Sequence, residues 1–426
     1  MKGIDNAKLC PILSAKIMSQ SEEELPVIVQ LMEDDVHLKD GIMGIATKVQ
    51  ASLPLIDALA CNLTPDTIYR LASNPDIRYI SFDSRVFTQL DIAMPTVGAE
   101  ILHRDGYRGK GVTIAIVDTG ISPHYDLTQS HNRIVGFKDL VNGKAYPYDD
   151  NGHGTHVAGI IAGNGYSSGG KYVGVAPESN ILAVKALDKN GSGPTSGIIE
   201  AISYIVQSRS QYNTKIINFS MGTPANNSCA KDPLCRAVDQ AVKSGIVVVA
   251  AAGNSGPDRM SIVSPGISRN VITVGAADDR GTIDTSDNFI APFSSRGPTP
   301  EGLEKPDLYA PGVNINSLSH AKPDAYASLS GTSMATPLVS GAVALLLSKH
   351  GDMKPEKIKD DLIKASIYME DSRESQKARL LNLQSLLHND GDSLRDRPGK
   401  SPIFKAELLE VFFILLIIAF LLDPEV

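Results

Sequence analysis

Cysteine is scarce in these 426 residues: four, at positions 10, 61, 229 and 235, too few and too irregular for a disulfide framework or for Cys-x-x-Cys zinc ligation. Cys229 and Cys235 are near enough to pair, but the reading taken is of free thiols in a reducing compartment. Positive charge is also short. Forty Lys and Arg face 48 Asp and Glu, a net charge of −8, so the basic footprint of a nucleic-acid binder is missing and no nucleic-acid partner is expected. Glycine and proline, at 36 and 25 residues, fall short of a fibrous or disordered composition. The first 25 residues hold no continuous apolar core and no small-residue cleavage site, so no signal peptide is read and a cytoplasmic location is expected. No GxGxxG or GxxxxGK[ST] element follows a strand-like run, which argues against a nucleotide-binding protein.

Apolar residues make up 42% and charged residues 21%, the balance of a globular chain long enough for one large α/β domain with extensions. Residues 26–86 carry two strand-like runs, PVIVQLM and IRYISFD, with the Thr-capped helical pattern TPDTIYRLASNP between them, a small α+β unit. Residues 87–110 read as a connecting stretch. From Gly111 onward the runs VTIAIVD (112–118), NILAVKAL (180–187), KIINFS (215–220), IVVVAAAGN (246–254) and VITVGA (271–276) alternate with helical patterns at about 154–163, 196–209, 234–244 and 334–349. Near-continuous apolar strands alternating with helices predict a parallel sheet covered on both faces, with chemistry at the carboxyl ends of its strands. A further helix from about 354 to 366 and the segment LLNLQSLL close this region. The polar stretch HNDGDSLRDRPGKSP follows, then an unbroken apolar run of twelve residues at 411–422.

Three segments carry reactive side chains. VTIAIVD ends in Asp118, which alone reads as a turn or cap residue. NGHGTHVAG sets His153 before a glycine-containing helix; a metal reading of His153 with His156 is weak, because no acidic or cysteine ligand accompanies them. SGTSMATP puts Ser333 at the start of a long apolar helix, where helix amides favour developing negative charge. A nucleophilic serine needs a base and a carboxylate to orient that base, and the chain supplies them in the order Asp, His, Ser.

On the segments IVDTG, NGHGTHVAG and SGTSMATP the sequence resembles the subtilisin-like serine proteases, the subtilases. PYDDNGHGTH, GVAPESNILAVKAL, AAGNSGPD, FSSRGPT and KPDLYAPGVNI are most similar to the intracellular AprX-like bacterial members. The resemblance implies a subtilisin-like α/β fold and a serine endopeptidase of broad specificity acting on protein or peptide substrates. It assigns Asp118 to orient the imidazole, His153 as base and then acid, and Ser333 as nucleophile. Asn254 in AAAGN is its oxyanion donor. Its substrate walls are Gly191, Ser192 and Gly193, then Ser220, Met221 and Gly222, then Ala251, Ala252 and Gly253. Ser255 and Val263 lie near the base of the S1 pocket, which Val263 makes shallow, so medium apolar P1 residues are expected. With no triad position substituted, a polypeptide-binding pseudo-protease is the weaker alternative.

The resemblance covers about 26–388 and implies an inhibitory propeptide-like α+β domain (26–90) and the catalytic domain (91–388); composition adds an N-terminal extension (1–25), a polar linker (389–405) and an apolar tail (406–426). Autocleavage is expected near Leu90 and Asp91. No cofactor is required for the chemistry. Calcium is not expected at the family's tight site: Asp126 matches one ligand roughly, but the loop AGNGYSSGGKY (162–172) lacks a cluster of carboxylates. The stretch from Leu408 to Leu422 makes about 22 Å as a helix, short of a roughly 30 Å hydrocarbon core. Positive residues precede it and acidic ones follow, so it reads as a membrane or partner-binding appendage that keeps the enzyme cytoplasmic.

Overall fold

The computed structural model describes residues 8–9, 13–14, 17, 24–33, 35–53, 57–82, 90–225, 227–369 and 378–387. The expected linker and the apolar tail with Leu408 to Leu422 lie outside the described residues, as does most of the 1–25 extension.

The N-terminal unit contains β1 (Leu25–Leu31), α1 (Val36–Ile45), β2 (Lys48–Leu53), β3 (Ala58–Leu63), α2 (Pro65–Ala72) and β4 (Ile77–Phe82). Its antiparallel sheet runs β2-β3-β1-β4. Along β1, Leu25, Val27, Val29 and Leu31 are buried and alternate with half-buried residues, the period-two pattern of a strand with one face in a core. They pack with Ile42 of α1 and Ile68 and Leu71 of α2. Thr64 caps α2 by accepting from the Thr67 amide, with Pro65 in the first turn. The sequence reading expected two strands here. Of the other two, β2 is almost wholly exposed and reads KVQASL, without an apolar face, while β3 is a buried six-residue run, ALACNL, too short to separate by period from the apolar residues before it.

The stretch 87–110 is corrected from connector to structure. It holds α3 (Leu90–Thr96) and α4 (Ala99–Arg104), with Ala93, Val97, Ala99 and Leu102 fully buried. The amide of Leu383 donates to the Val97 carbonyl (2.9 Å) and His103 Nε2 contacts the Val175 carbonyl (2.8 Å), joining this segment to the body of the next domain.

That domain comprises β5 (Thr113–Asp118), α5 (Tyr125–Thr128), β6 (Ile134–Asp139), α6 (His153–Ala162), β7 (Asn180–Lys185), α7 (Thr195–Tyr212), β8 (Thr214–Phe219), β9 (Thr223–Pro224), α8 (Pro233–Lys243), β10 (Val247–Ala251), β11 (Val263–Ser264), β12 (Ile272–Asp278), β13 (Phe289–Ile290), β14 (Leu308–Pro311), β15 (Ile315–Leu318), β16 (Tyr326–Leu329), α9 (Thr332–His350), α10 (Pro355–Ala365), β17 (Ile367–Met369) and β18 (Ala378–Leu380). The ten-stranded sheet runs β17-β18-β14-β12-β10-β8-β5-β7-β6, with β13 added beside β12. All its pairings are parallel except β17 with β18 and β12 with β13. Every residue of β5 is buried, as a strand covered on both faces requires. Helices α7 and α8 pack over one core cluster with Val117, Val184, Phe219 and Val248. α9 is buried along most of its 19 residues and carries Ser333 on its first turn. The fold is the mainly parallel α/β architecture with an α+β N-terminal domain expected from sequence.

Cys229 and Cys235 form a disulfide, with Cα atoms 5.3 Å apart, which corrects the free-thiol reading. Cys235 lies on the first turn of α8, whose N-cap Asp232 accepts from the Cys235 amide, so the bridge ties the loop after β9 to the helix start. Both cysteines pack with Ala252, Ile262 and Ile267. Among the described residues Cys61 is a buried free cysteine, its thiol pushed up to about 11 by burial.

Candidate active site

Asp118 stands at the carboxyl end of β5, in register with Lys185 of β7. It is 1% exposed. Its Oδ1 accepts from the Thr119 amide (2.8 Å) and meets His153 Nδ1 at 2.8 Å. His153 opens α6 and is held close because Gly154 follows it: a Cβ on Gly154 would sit 2.1 Å from the Gly120 carbonyl and 3.1 Å from Asp118 Cβ, so only glycine allows the two chain segments this approach. Burial opposes charging His153, but the charge and hydrogen bond of Asp118, helped by Asp149, outweigh it and raise its pKa.

A layer behind these two was missed from sequence. Asp149 Oδ1 accepts from Thr119 Oγ1 (2.9 Å) and from the amides of Asn151 and Gly152. Its Oδ2 accepts from the amide and hydroxyl of Thr155. Thr119 Oγ1 in turn accepts from the Gly154 amide (3.0 Å). One buried carboxylate therefore clamps the Asp118 turn to the first turn of α6, where negative charge also suits the helix dipole. Beside it, the fully buried Lys185 ammonium donates to the carbonyls of Thr119 and Leu187 and to Asp150 Oδ1 (2.6, 2.9 and 2.6 Å). A lysine ending an apolar strand looks like ordinary strand termination; only the acidic pair in PYDDNG hints at its partner.

His156 is not a metal ligand. Its Nε2 lies between the carbonyls of Ile315 (3.0 Å) and Ala327 (3.1 Å), and burial pulls its pKa down to about 4, so it is a neutral donor joining α6 to the β15-β16 hairpin. Asp126 likewise has both carboxylate oxygens taken, by the Ser167 amide (2.8 Å) and the Tyr326 hydroxyl (2.7 Å). The residues present do not fit calcium there. Among the described residues no group of three or more His, Cys, Asp or Glu gathers to hold a metal ion.

Ser333 Oγ donates to the Ser220 carbonyl (2.7 Å) rather than to His153. Asn254 is exposed, with its carbonyl oxygen anchored by the Thr332 amide (2.9 Å) and hydroxyl (3.0 Å). That leaves its NH2 group turned toward Gly331. A Cβ on Gly331 would stand 3.4 Å from Asn254 Nδ2 and 3.7 Å from the Ser333 nitrogen, so two donors border one small space.

The remaining predicted residues line the surroundings. Gly191 has φ +75°, and Asp188 closes the 188–193 loop by accepting from the amides of Asn190 and Ser192. A Cβ on Gly193 would lie 2.3 Å from the Ala186 carbonyl. Ser220, Met221 and Gly222 follow β8, Ala251 ends β10, and Ala252 and Gly253 follow it. Val263 of β11 lies between these two walls, its methyl groups where side chains on Gly222 (2.2 Å) and Gly253 (2.8 Å) would begin. Ser255 donates its amide to Ser295 Oγ (3.2 Å).

The Subtilase family profile matches residues 109–391. Serine protease AprX of Bacillus subtilis (strain 168) is 44% identical over 334 residues, 74% of this chain and 75% of that protein. Subtilisin E of the same organism is 34% identical over 385 residues, 88% of this chain and 93% of that protein. Among solved structures, a cold adapted subtilisin-like serine proteinase aligns with TM-score 0.53 at 32% identity, covering 65% of this chain and 90% of that one. The S41 psychrophilic protease aligns with TM-score 0.53 at 35% identity, covering 61% and 84%. The chain belongs to the subtilase family of serine endopeptidases.

Proposed function

We propose that the chain hydrolyses peptide bonds through Asp118, His153 and Ser333, by way of an acyl-enzyme, with Asn254 and the Ser333 amide as oxyanion donors. The observation that carries this reading is the 2.8 Å contact of His153 Nδ1 with Asp118 Oδ1. It keeps the proton on Nδ1 and leaves the Nε2 lone pair as a base. Rotation of the Ser333 side chain moves its hydroxyl from the Ser220 carbonyl to that lone pair. As Oγ attacks the scissile carbonyl, His153 takes the proton and the new oxyanion enters the space beside Gly331. His153 then protonates the departing amine, and water repeats the sequence to release the acid. Subtilases need no cofactor for this chemistry.

Substrate is read as an extended strand against the 191–193 and 220–222 segments, mostly through its main chain, which supports broad specificity. Val263 between the S1 walls supports medium apolar P1 residues. A fluorophosphonate probe tests the reading: labelling at Ser333 in the folded wild type, and none in Ser333→Ala, is expected. No labelling of folded wild type would overturn it.

The N-terminal α+β unit is proposed to be an inhibitory propeptide cut by the enzyme itself near residue 90. Because α3 starts at Leu90, cleavage of the Leu90–Asp91 bond requires its first turn to unwind into extended chain. Wild type is expected to show the cut and Ser333→Ala to stay full length; the same cut in both would assign processing to another protease. The enzyme is further proposed to be cytoplasmic and held at a membrane or partner through 408–422. Fractionation of the full chain against a version ending at His388 tests this, equal solubility counting against an anchor.

A further inference from the structure

We infer that His320 is a specificity-determining residue on the leaving-group side of the cleft, favouring peptides whose first or second residue after the scissile bond carries a carboxylate or carboxamide. The inference rests on the proposed peptidase reading. His153 protonates the departing amine, so the leaving-group side begins at its imidazole, away from the acyl-side walls at 220–222 and 251–253. The two residues before His153 touch different elements. Asn151 Nδ2 donates to the Lys189 carbonyl (3.0 Å), on the loop that continues into Gly191 and Gly193. Gly152 lies against His320 on the turn between β15 and β16, the hairpin that leads directly into Gly331 and Ser333.

The contact is close. A Cβ on Gly152 would stand 2.2 Å from His320 Nδ1, 2.7 Å from Cε1 and 3.2 Å from Cγ, at a φ of +107°. The imidazole therefore fills the volume that a side chain at 152 would claim, one residue from the general base. With its Nδ1 edge against Gly152, the ring turns its Cδ2–Nε2 edge away, and His320 is exposed. Nε2 is thus available for a polar group arriving with the amine half of the substrate.

The turn that carries His320 is fixed in place. The Tyr125 amide donates to the Pro323 carbonyl (2.7 Å), His124 Nε2 contacts the Ala325 carbonyl (3.0 Å), and the Tyr326 hydroxyl donates to Asp126 (2.7 Å). A donor held this way loses little freedom on binding, the condition under which one hydrogen bond discriminates between ligands. Lys322 on the same turn is exposed and adds positive charge. Asp324, the acidic residue of the turn, interacts with His124 on the α5 side.

The test uses internally quenched peptides sharing one acyl half and carrying Glu, Gln, Leu or Lys at the first or second position after the bond, beside a p-nitroanilide of the same acyl half. Wild type is expected to favour Glu and Gln over Leu by about fivefold in kcat/KM, the scale of one partly exposed hydrogen bond. His320→Ala should lose that ratio and His320→Gln should keep part of it, with p-nitroanilide turnover unchanged in both. A wild type indifferent to these residues, or a ratio unaltered in His320→Ala, overturns the inference. A parallel fall on every substrate including the p-nitroanilide also overturns it, by assigning His320 to support of the His153 turn. Absence of p-nitroanilide turnover by wild type would instead defeat the peptidase reading beneath it.

Discussion

Ser220 and Ser333 hold each other by reciprocal hydrogen bonds: Ser333 Oγ donates to the Ser220 carbonyl (2.7 Å) and Ser220 Oγ donates to the Ser333 carbonyl (2.9 Å). Ser220 Oγ also accepts from Asn218 Nδ2 (2.9 Å), whose Oδ1 accepts from Ser340 two turns along α9 (2.8 Å). Ser333 is therefore positioned from β8 through a buried polar chain. Ser220→Ala keeps the substrate-facing carbonyl and removes the donor to Ser333. It is expected to lower kcat by about tenfold with little change in KM, the pattern of lost orientation, measured on a p-nitroanilide substrate.

The pH profile follows from His153. Its pKa is raised above 6.5 by Asp118, and the proposed base would work only when neutral, so kcat/KM should fall as pH drops through that raised value and level off above it. Stability runs the other way. A raised pKa contributes stability that is full below the unfolded value and lost as pH rises through the folded one. Asp118→Asn removes the charge, so its residual activity should keep its acid limb to a lower pH, read from kcat/KM against pH for both proteins.

Asn254 and Thr332 should behave as a graded pair. Asn254→Ala deletes the proposed donor to the oxyanion and is expected to cost about 10² to 10³ in kcat, the scale this enzyme family shows for loss of such a donor. Thr332→Val keeps Asn254 but removes the hydroxyl that donates to its Oδ1 and accepts from the Gly253 amide. A loss of about tenfold is expected. A loss equal to that of Asn254→Ala would show that the hydroxyl alone orients the amide.

Val263→Gly empties the space between Gly222 and Gly253. Relative kcat/KM for Phe or Tyr over Ala or Val at P1 should rise about tenfold or more, since each added methylene accepted by a pocket is worth roughly 1–3 kcal/mol. An unchanged ratio would mean that another side chain closes the pocket.

Asp279 offers a stability test away from the chemistry. Asp279 is 1% exposed, its Oδ2 has no hydrogen-bond partner, and burial pushes its pKa up to about 7. Because the folded value is the higher one, stability should decline as pH rises from about 4 to 7. Asp279→Asn is expected to raise Tm more at pH 8 than at pH 5; equal shifts at both would show that the carboxyl ionises freely in the fold.

The catalytic strands and helices were legible because their apolar runs are long and their reactive residues sit where strands end and helices begin. β5 reads as six buried residues ending in Asp118, and α9 as a long apolar segment after SGTS. What escaped has little local signal. β6, IVGFKD, is half-exposed and shows no continuous run, and the β15-β16 hairpin has four-residue strands. Lys185 and Asp149 are polar residues that each bond Thr119 from another segment, with Asp150 pairing the lysine and Thr155 donating to the aspartate, a tertiary matter that spacing does not encode. The Cys229–Cys235 bridge was misjudged because cysteine counting weighs compartments and carries nothing about the turn that brings these two together.

Placing Ser333 on a helix that fills the interior also affects how the enzyme fails. α9 lacks a free surface over most of its length, so its first turn has no local route to fraying, and its amides should exchange hydrogen only with the slowest group in the domain. Heat inactivation should then coincide with loss of the whole cooperative fold instead of preceding it, and damage to exposed loops should leave Ser333 in register until the domain melts.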